Sequence, residues 1–185
     1  MSICTQPSWP TRNSGCVLKR LPDGAPILIR PIRADDKRML EDGLRHLSDE
    51  SVQRRFLTLK RRFSRAELRY LTEVNGRDHV ALVAEYPGAP VRHLIAVARF
   101  VRLADDPTAA EVAIVVADDW QRRGVGSLLA ELLAVEARKA GIARFTATIA
   151  SDNVAAHKLM LKLTTHLTRH NAGHGVSGLV LDLAA

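Results

Sequence analysis

Val116-Ala-Asp-Asp-Trp-Gln121-Arg-Arg-Gly124-Val-Gly126-Ser127 joins an apolar run to a long helical pattern. Upstream, Glu111 to Val116 is almost wholly apolar after its first residue, as in a strand at the centre of a sheet. Downstream, Val125, Leu128, Leu129, Leu132 and Leu133 recur at helical spacing, and Gly141 suits the stop of a helix that begins near Val125. The first N–H groups of that helix lack internal partners, and the helix dipole adds positive charge there. Gly124 and Gly126 carry no side chains, while Arg122 and Arg123 add cations. An anion such as a diphosphate satisfies such a place.

Other phosphate motifs fail on spacing. A dinucleotide fingerprint needs glycine where Leu129 stands and an acid ~20 residues after the turn, where Ala143 and Arg144 lie. A P-loop needs Gly-Lys-Ser/Thr, which this chain lacks.

Working outward, His79 to Glu85 and Leu94 to Arg102 read as a hairpin about the Pro87-Gly88 turn. Val17 to Arg20 and Leu28 to Pro31 form another, through Pro22-Asp23-Gly24. Between them lie three helices. The first opens at Asp35-Asp36 and carries Leu40, Leu44 and Leu47. The second starts at Ser48. The third starts at Ser64, where Glu67 completes a capping box, and Asn75-Gly76 stops it. After the long helix come a strand from Phe145 to Ile149 and a helix from Asn153 to Leu163. A closing hairpin, Leu167 to Arg169 with Leu179 to Leu183, surrounds a polar, glycine-rich loop. The expectation is a mixed α/β domain, residues 17–185, with a mostly antiparallel central sheet flanked by helices. Residues 1–16 read as a flexible tail, with no apolar core of a signal peptide.

Composition narrows the class. Hydrophobic residues are 46% and charged residues 25% of 185 positions, enough for one buried core. No apolar run approaches the ~20 residues of a membrane span. Cys4 and Cys16 match neither a zinc pattern nor a disulfide framework, so a reducing, cytoplasmic location is expected. His166, His170 and His174 lack ligand spacing, so no metal is expected. The net charge of +7 favours anionic partners. Seven basic residues lie between Gln53 and Arg69 (Arg54, Arg55, Lys60, Arg61, Arg62, Arg65 and Arg69) against one acid, Glu67. With 4% aromatics and no recognisable motif, specific nucleic-acid binding is not expected.

The segment from Val116 to Gly126 resembles the acetyl-CoA pyrophosphate motif of the GNAT acetyltransferase superfamily, Gln/Arg-x-x-Gly-x-Gly/Ala. Asn153-x-x-Ala156-x-x-Leu159 resembles that superfamily's second signature, and the likeness runs from about Ile27 to Leu183. Arg30-Pro-Ile-Arg-Ala-Asp-Asp36 and Leu47 to Phe56 look more specifically like protein-lysine acetyltransferase domains. The resemblance implies that the backbone of Ile114, Val115 and Val116 pairs with the pantetheine arm of acetyl-CoA. It implies that the N–H groups from Arg122 to Ser127, in the turn opened by Gln121, hold the pyrophosphate. Asn153 would touch the cosubstrate from the other side, although by position alone it is an ordinary N-cap.

The implied reaction is acetyl transfer to a primary amine, which must first lose its proton. Glu111 is the acid of the apolar strand, ~17 Å from Val116 at ~3.3 Å per residue. The matching position in lysine-acetylating relatives is a glutamate general base. Two departures stand out. Met160 occupies the place of the tyrosine that many members use as general acid, and it has no proton to donate. Thr164-Thr165 stands where Gly-Phe is usual. The expected acceptor is a lysine on an acidic protein surface, drawn to the basic run of residues 54–69. An anionic small amine and a non-catalytic acyl-CoA-binding module are the alternatives. The oligomeric state is left open, a homodimer being one arrangement.

Overall fold

The computed structural model describes residues 16–183; residues 1–15 of the expected tail, Cys4 among them, lie outside these. The elements follow the apolar periodicities. Strands β1 (Val17–Arg20) and β2 (Pro26–Pro31) are joined by a turn in which Gly24 takes φ 85°, a conformation that favours glycine. A 3-10 turn, Ala34–Asp36, leads into α1 (Lys37–His46), followed by α2 (Asp49–Phe56) and α3 (Arg65–Thr72). Next come β3 (His79–Glu85), β4 (Leu94–Arg102) and β5 (Ala109–Val116). A short 3-10 turn, Asp118–Trp120, precedes α4 (Val125–Lys139). The chain closes with β6 (Arg144–Ala150), α5 (Val154–Leu161), β7 (Leu167–Gly173) and β8 (Val176–Asp182).

The starts of α2 and α3 expected from sequence are present with their capping bonds. Ser48 Oγ accepts from the Ser51 N–H, and Ser64 and Glu67 form a reciprocal capping box. Helix α3 ends earlier than its apolar stripe suggests. Asn75 Oδ1 accepts from the N–H groups of Arg77, Asp78 and His79, offering the backbone an alternative to helix.

Eight strands form one sheet in the order β1-β2-β3-β4-β5-β6-β8-β7. Every neighbouring pair is antiparallel except β5 with β6. The last hairpin departs from expectation. The polar stretch between Arg169 and Leu179 is mostly strand, with a tight turn at His174-Gly175. Its polarity hid it, because β7 is an exposed edge strand needing few apolar residues.

The main core lies between the sheet and α4, where Val125, Leu129, Leu133 and Ala137 pack with Phe100, Phe145 and Leu181. A second cluster on the opposite face joins Ile32, Leu40 and Leu68 to Ala81, Val83 and Val97. Arg30 is 1% exposed and binds Asp36 at 2.7 Å and Glu85 at 2.6 Å. The Arg30-to-Asp36 stretch is thus a buried ionic staple between β2, β3 and the entrance to α1. Among the described residues, no helix is long and apolar enough to cross a membrane.

Candidate functional site

The single parallel pairing in the sheet creates the site. Strands β5 and β6 pair only at Ala109–Arg144, Ala110–Phe145 and Glu111–Thr146. Beyond Glu111 they diverge, leaving the β6-facing backbone of residues 112–116 without a strand partner. A cleft of about 330 Å³ opens along this side. It is lined by Ile114, Val115 and Val116 from β5, and by Gln121, Arg122, Gly124, Gly126 and Ser127 from the turn and α4. Asn153, Ala156, Lys158, Leu159 and Lys162 form the opposite wall, and Ser51, Arg54 and Arg55 of α2 cover it.

The turn at its end presents backbone donors. Gly124 is the N-cap of α4 with φ 94°, and Arg122 has φ 59°. The Leu128 N–H donates to the Gly124 carbonyl, so those of Val125, Gly126 and Ser127 precede the first closed turn of the helix. A Cβ on Gly126 would lie 3.5 Å from Val116 and 3.7 Å from Leu159, on the cleft wall. One on Gly124 would point toward Pro22, at 3.6 Å, so Gly124 is required for its backbone conformation rather than for open space.

The predicted residues do not all converge. Arg123 turns away: its Nε binds Asp23 at 2.7 Å, and its guanidinium lies 4.1 Å over the Trp120 ring. The Val125 side chain is fully buried in the core, so only its backbone can serve the cleft. Asn153 Oδ1 accepts from the Ala156 N–H as an N-cap, and the residue still lines the cleft, so the two roles coexist. Gln121 Nε2 donates to the Val116 carbonyl at 3.1 Å and to Ser51 Oγ at 2.9 Å, bracing the turn against β5 and α2. Met160 is 4% exposed in the core.

Glu111 is exposed at the base of the divergence, outside the lining of the cleft. Side chains alternate along a strand, so it shares the face of Ala113 and Val115, and Val115 packs toward α1 and α3. Helix α2 crosses β5 and β6 on that face. Burial pushes the Arg55 guanidinium below its ordinary range, and the Glu111 carboxylate works against that shift.

Sequence reasoning missed the partners brought in from α2 and α5. Asp118 accepts from the Ser48 N–H at 2.9 Å, Ser48 Oγ at 2.8 Å and Ser51 Oγ at 2.7 Å, latching α2 to the turn. Burial raises the Asp118 pKa, but these bonds outweigh it and leave a net depression. Lys162 donates to Ser127 Oγ at 3.0 Å. Arg54, Arg55, Arg122, Lys158 and Lys162 line the cleft with no carboxylate among them. No local sequence signal joins residues 51, 118 and 162.

A cleft of this shape, with free N–H groups and cations at one end and an unpaired strand edge along its length, fits a phosphorylated, extended ligand. No group of three or more His, Cys, Asp or Glu residues that could hold a metal ion occurs among the described residues. The family described as "Acetyltransferase (GNAT) family" matches residues 43–164, which include α2, β5, the turn and α5. The chain belongs to this family. Among GNAT relatives, the acetyltransferase Pat of Mycolicibacterium smegmatis is 40% identical over 146 residues, covering 78% of this chain and 43% of that protein. The chain thus spans less than half the length of that relative. The GNAT domain of S. lividans PAT has a TM-score of 0.81 at 32% identity, covering 91% of this chain and 97% of that one. The fold is shared with yncA of Salmonella typhimurium, solved with its cofactor acetyl-CoA, at a TM-score of 0.64 and 20% identity over 85% of this chain and 94% of that one.

Proposed function

We propose that this chain transfers an acetyl group from acetyl-CoA to a primary amine, with a lysine side chain on an acidic protein surface as the acceptor. One observation carries the reading: the divergence of β5 from β6 opens an unpaired strand edge that leads from exposed Glu111 to the donor-rich N-terminus of α4. The backbone of Ile114, Val115 and Val116 would pair with the pantetheine arm. The N–H groups of Arg122 through Ser127, with the Arg122 side chain, would hold the pyrophosphate. Arg123 would contribute through its backbone, its side chain being committed to Asp23. Asn153 closes the opposite wall. Acetyl-CoA supplies the activated acyl group; the chain's own residues orient it and remove a proton from the amine.

Glu111 is the proposed base, placed at the closed end of the divergence and open to solvent, so a proton can pass to it directly or through water. Met160 is sealed in the core, so the leaving thiolate receives no proton from that position. The protein-acceptor reading is supported by the likeness to Pat of M. smegmatis and to the GNAT domain of S. lividans PAT. The basic run beside the cleft supports it in part. Arg54, Lys60 and Arg61 are paired with Glu50, Glu67 and Asp49, while Arg62, Arg65 and Arg69 are exposed and form no ion pair among the described residues.

The test is release of free CoA from acetyl-CoA in the presence of lysine-bearing protein, alongside calorimetry of acetyl-CoA binding. Glu111→Gln should bind acetyl-CoA normally and lose about 10²–10⁴-fold in kcat, with partial recovery at higher pH as more amine becomes neutral. Full activity of Glu111→Gln at neutral pH removes it as the base. Absence of acetyl-CoA binding by the unaltered chain removes the whole reading.

A further inference from the structure

The cleft carries more positive charge than its proposed pyrophosphate needs. Arg54, Arg55, Arg122, Lys158 and Lys162 line it, and no carboxylate does. A pyrophosphate that links two esters is met by the N–H groups and the dipole at the start of α4, with Arg122 beside them. The remaining cations are not equally free. Arg54 is paired with Glu50 at 2.6 Å on its own helix. Lys162 Nζ donates to Ser127 Oγ at 3.0 Å, which fixes the ammonium against the first turn of α4 without neutralising it. The Lys158 ammonium has no hydrogen bond or ion pair among the described residues. Asp152, the acid nearest to it in sequence, lines a separate cavity with Glu50 and His174.

Helix α5 brings the two lysines together. Lys158 stands on the helix, and Lys162 is its C-cap with helical dihedrals, φ −75° and ψ −21°. Residues four apart on a helix are neighbours on one face. Met160, between them in sequence, is turned into the core, while Leu159 shares the cleft wall with both lysines. Like charges so spaced disfavour the helix until an anion joins them.

We infer that Lys158 and Lys162 form a phosphomonoester-reading subsite, which takes the 3′-phosphate of CoA and separates acetyl-CoA from its 3′-dephospho form. This rests on the acetyl-CoA reading above and adds a second phosphate anchor to it. A phosphomonoester carries about −1.5 to −2 charge at pH 7 and presents three strong acceptor oxygens, so a pair of ammonium groups suits it. Lys162, held by Ser127 beside the pyrophosphate turn, supplies the fixed charge. Lys158, on the preceding turn of α5, closes on the phosphate with a flexible stem.

Calorimetry of the whole chain with acetyl-CoA and with 3′-dephospho-acetyl-CoA tests the subsite. Acetyl-CoA should bind about 10–100-fold more tightly, the range that charge-assisted hydrogen bonds give. The preference should shrink as pH falls through about 6, where the phosphomonoester gains a proton. Both lysines are exposed, so Lys158→Met and Lys162→Met should fold, which thermal melts check. Each should cut the preference several-fold. The double variant should bring the two ligands within about threefold of each other, mainly by weakening acetyl-CoA. Lys158→Gln leaves the Lys162–Ser127 bond in place and reads the subsite even where Lys162→Met unsettles α5. Equal binding of both ligands by the unaltered chain overturns the subsite, and so does a preference that survives in the double variant. An equal loss for both ligands assigns the lysines to the pyrophosphate and overturns it as well. In those cases acetyl-CoA still binds and the acetyl-transfer reading stands. A chain that binds neither ligand removes that reading, and the subsite with it.

Discussion

Gly124 and Gly126 occupy the same turn for different reasons. A β-branched side chain at φ 94° is strained by about 1–3 kcal/mol, and its Cβ would face Pro22 rather than the cleft. Gly124→Val should therefore lower stability and weaken acetyl-CoA binding together, by distorting the start of α4. Gly126→Ala should behave differently. Its methyl group makes ordinary contacts with Val116 and Leu159, and alanine favours the helix by up to about 1 kcal/mol. It nevertheless places bulk beside the free N–H groups, so affinity should fall about tenfold without loss of Tm. Calorimetry with paired thermal melts checks both; unchanged affinity in both variants takes the turn out of the acetyl-CoA site.

Helix α2 is short, and its position over the cleft depends on Asp118. Asp118→Ala should speed hydrogen exchange of the α2 amides while leaving α4 protected. Equal protection of α2 in the variant would show that the latch is dispensable. The depressed Asp118 pKa means the latch is fully formed above the ordinary carboxylate value and is lost as pH falls through the lower folded one. The β3–β4 pair holds a second titrating group. His79 is lowered to about 4 by desolvation first and Arg99 second. Its folded pKa lies below its unfolded value of about 6.5, so the unfolded chain binds the proton more readily. Its contribution is complete above about pH 6.5 and disappears progressively toward pH 4, on the order of 3 kcal/mol in total. Thermal melts across that window should show a falling Tm, and His79→Gln should flatten the slope. A slope identical in both proteins would place the acid sensitivity elsewhere.

Across the whole molecule, the Arg30 staple fixes β2 and β3 to the entrance of α1 and so sets the frame on which α1 and α2 sit. Arg30→Leu leaves Asp36 and Glu85 in the core without that partner and should cost about 3–5 kcal/mol, read as a shift in the denaturant midpoint. A shift below 1 kcal/mol would mean Arg92, which also binds Glu85, suffices. Much of this architecture was legible in the chain, because periods of two and 3.6 residues report which side of an element is buried. β3 and β4 have the ends read from sequence, Ser48 and Ser64 cap the helices they were assigned, and the turn at Gly124 lies between a central strand and the longest helix. The full length of β7 was not legible, since an edge strand can be polar on both faces, and the Val176-Ser-Gly start of β8 that pairs with it carries no apolar alternation. Nor was the direction of Arg123, which depends on Asp23, a hundred positions away. By itself, then, the sequence determined the elements, their order and the donor-rich turn, all products of local periodicity, capping and backbone freedom. Only the tertiary structure decided that β5 and β6 part after Glu111, that Asp118 draws α2 over the cleft, and that the buried Arg99 meets His79 rather than a carboxylate. Each of those depends on strand register and on contacts between distant segments, and no local pattern encodes them.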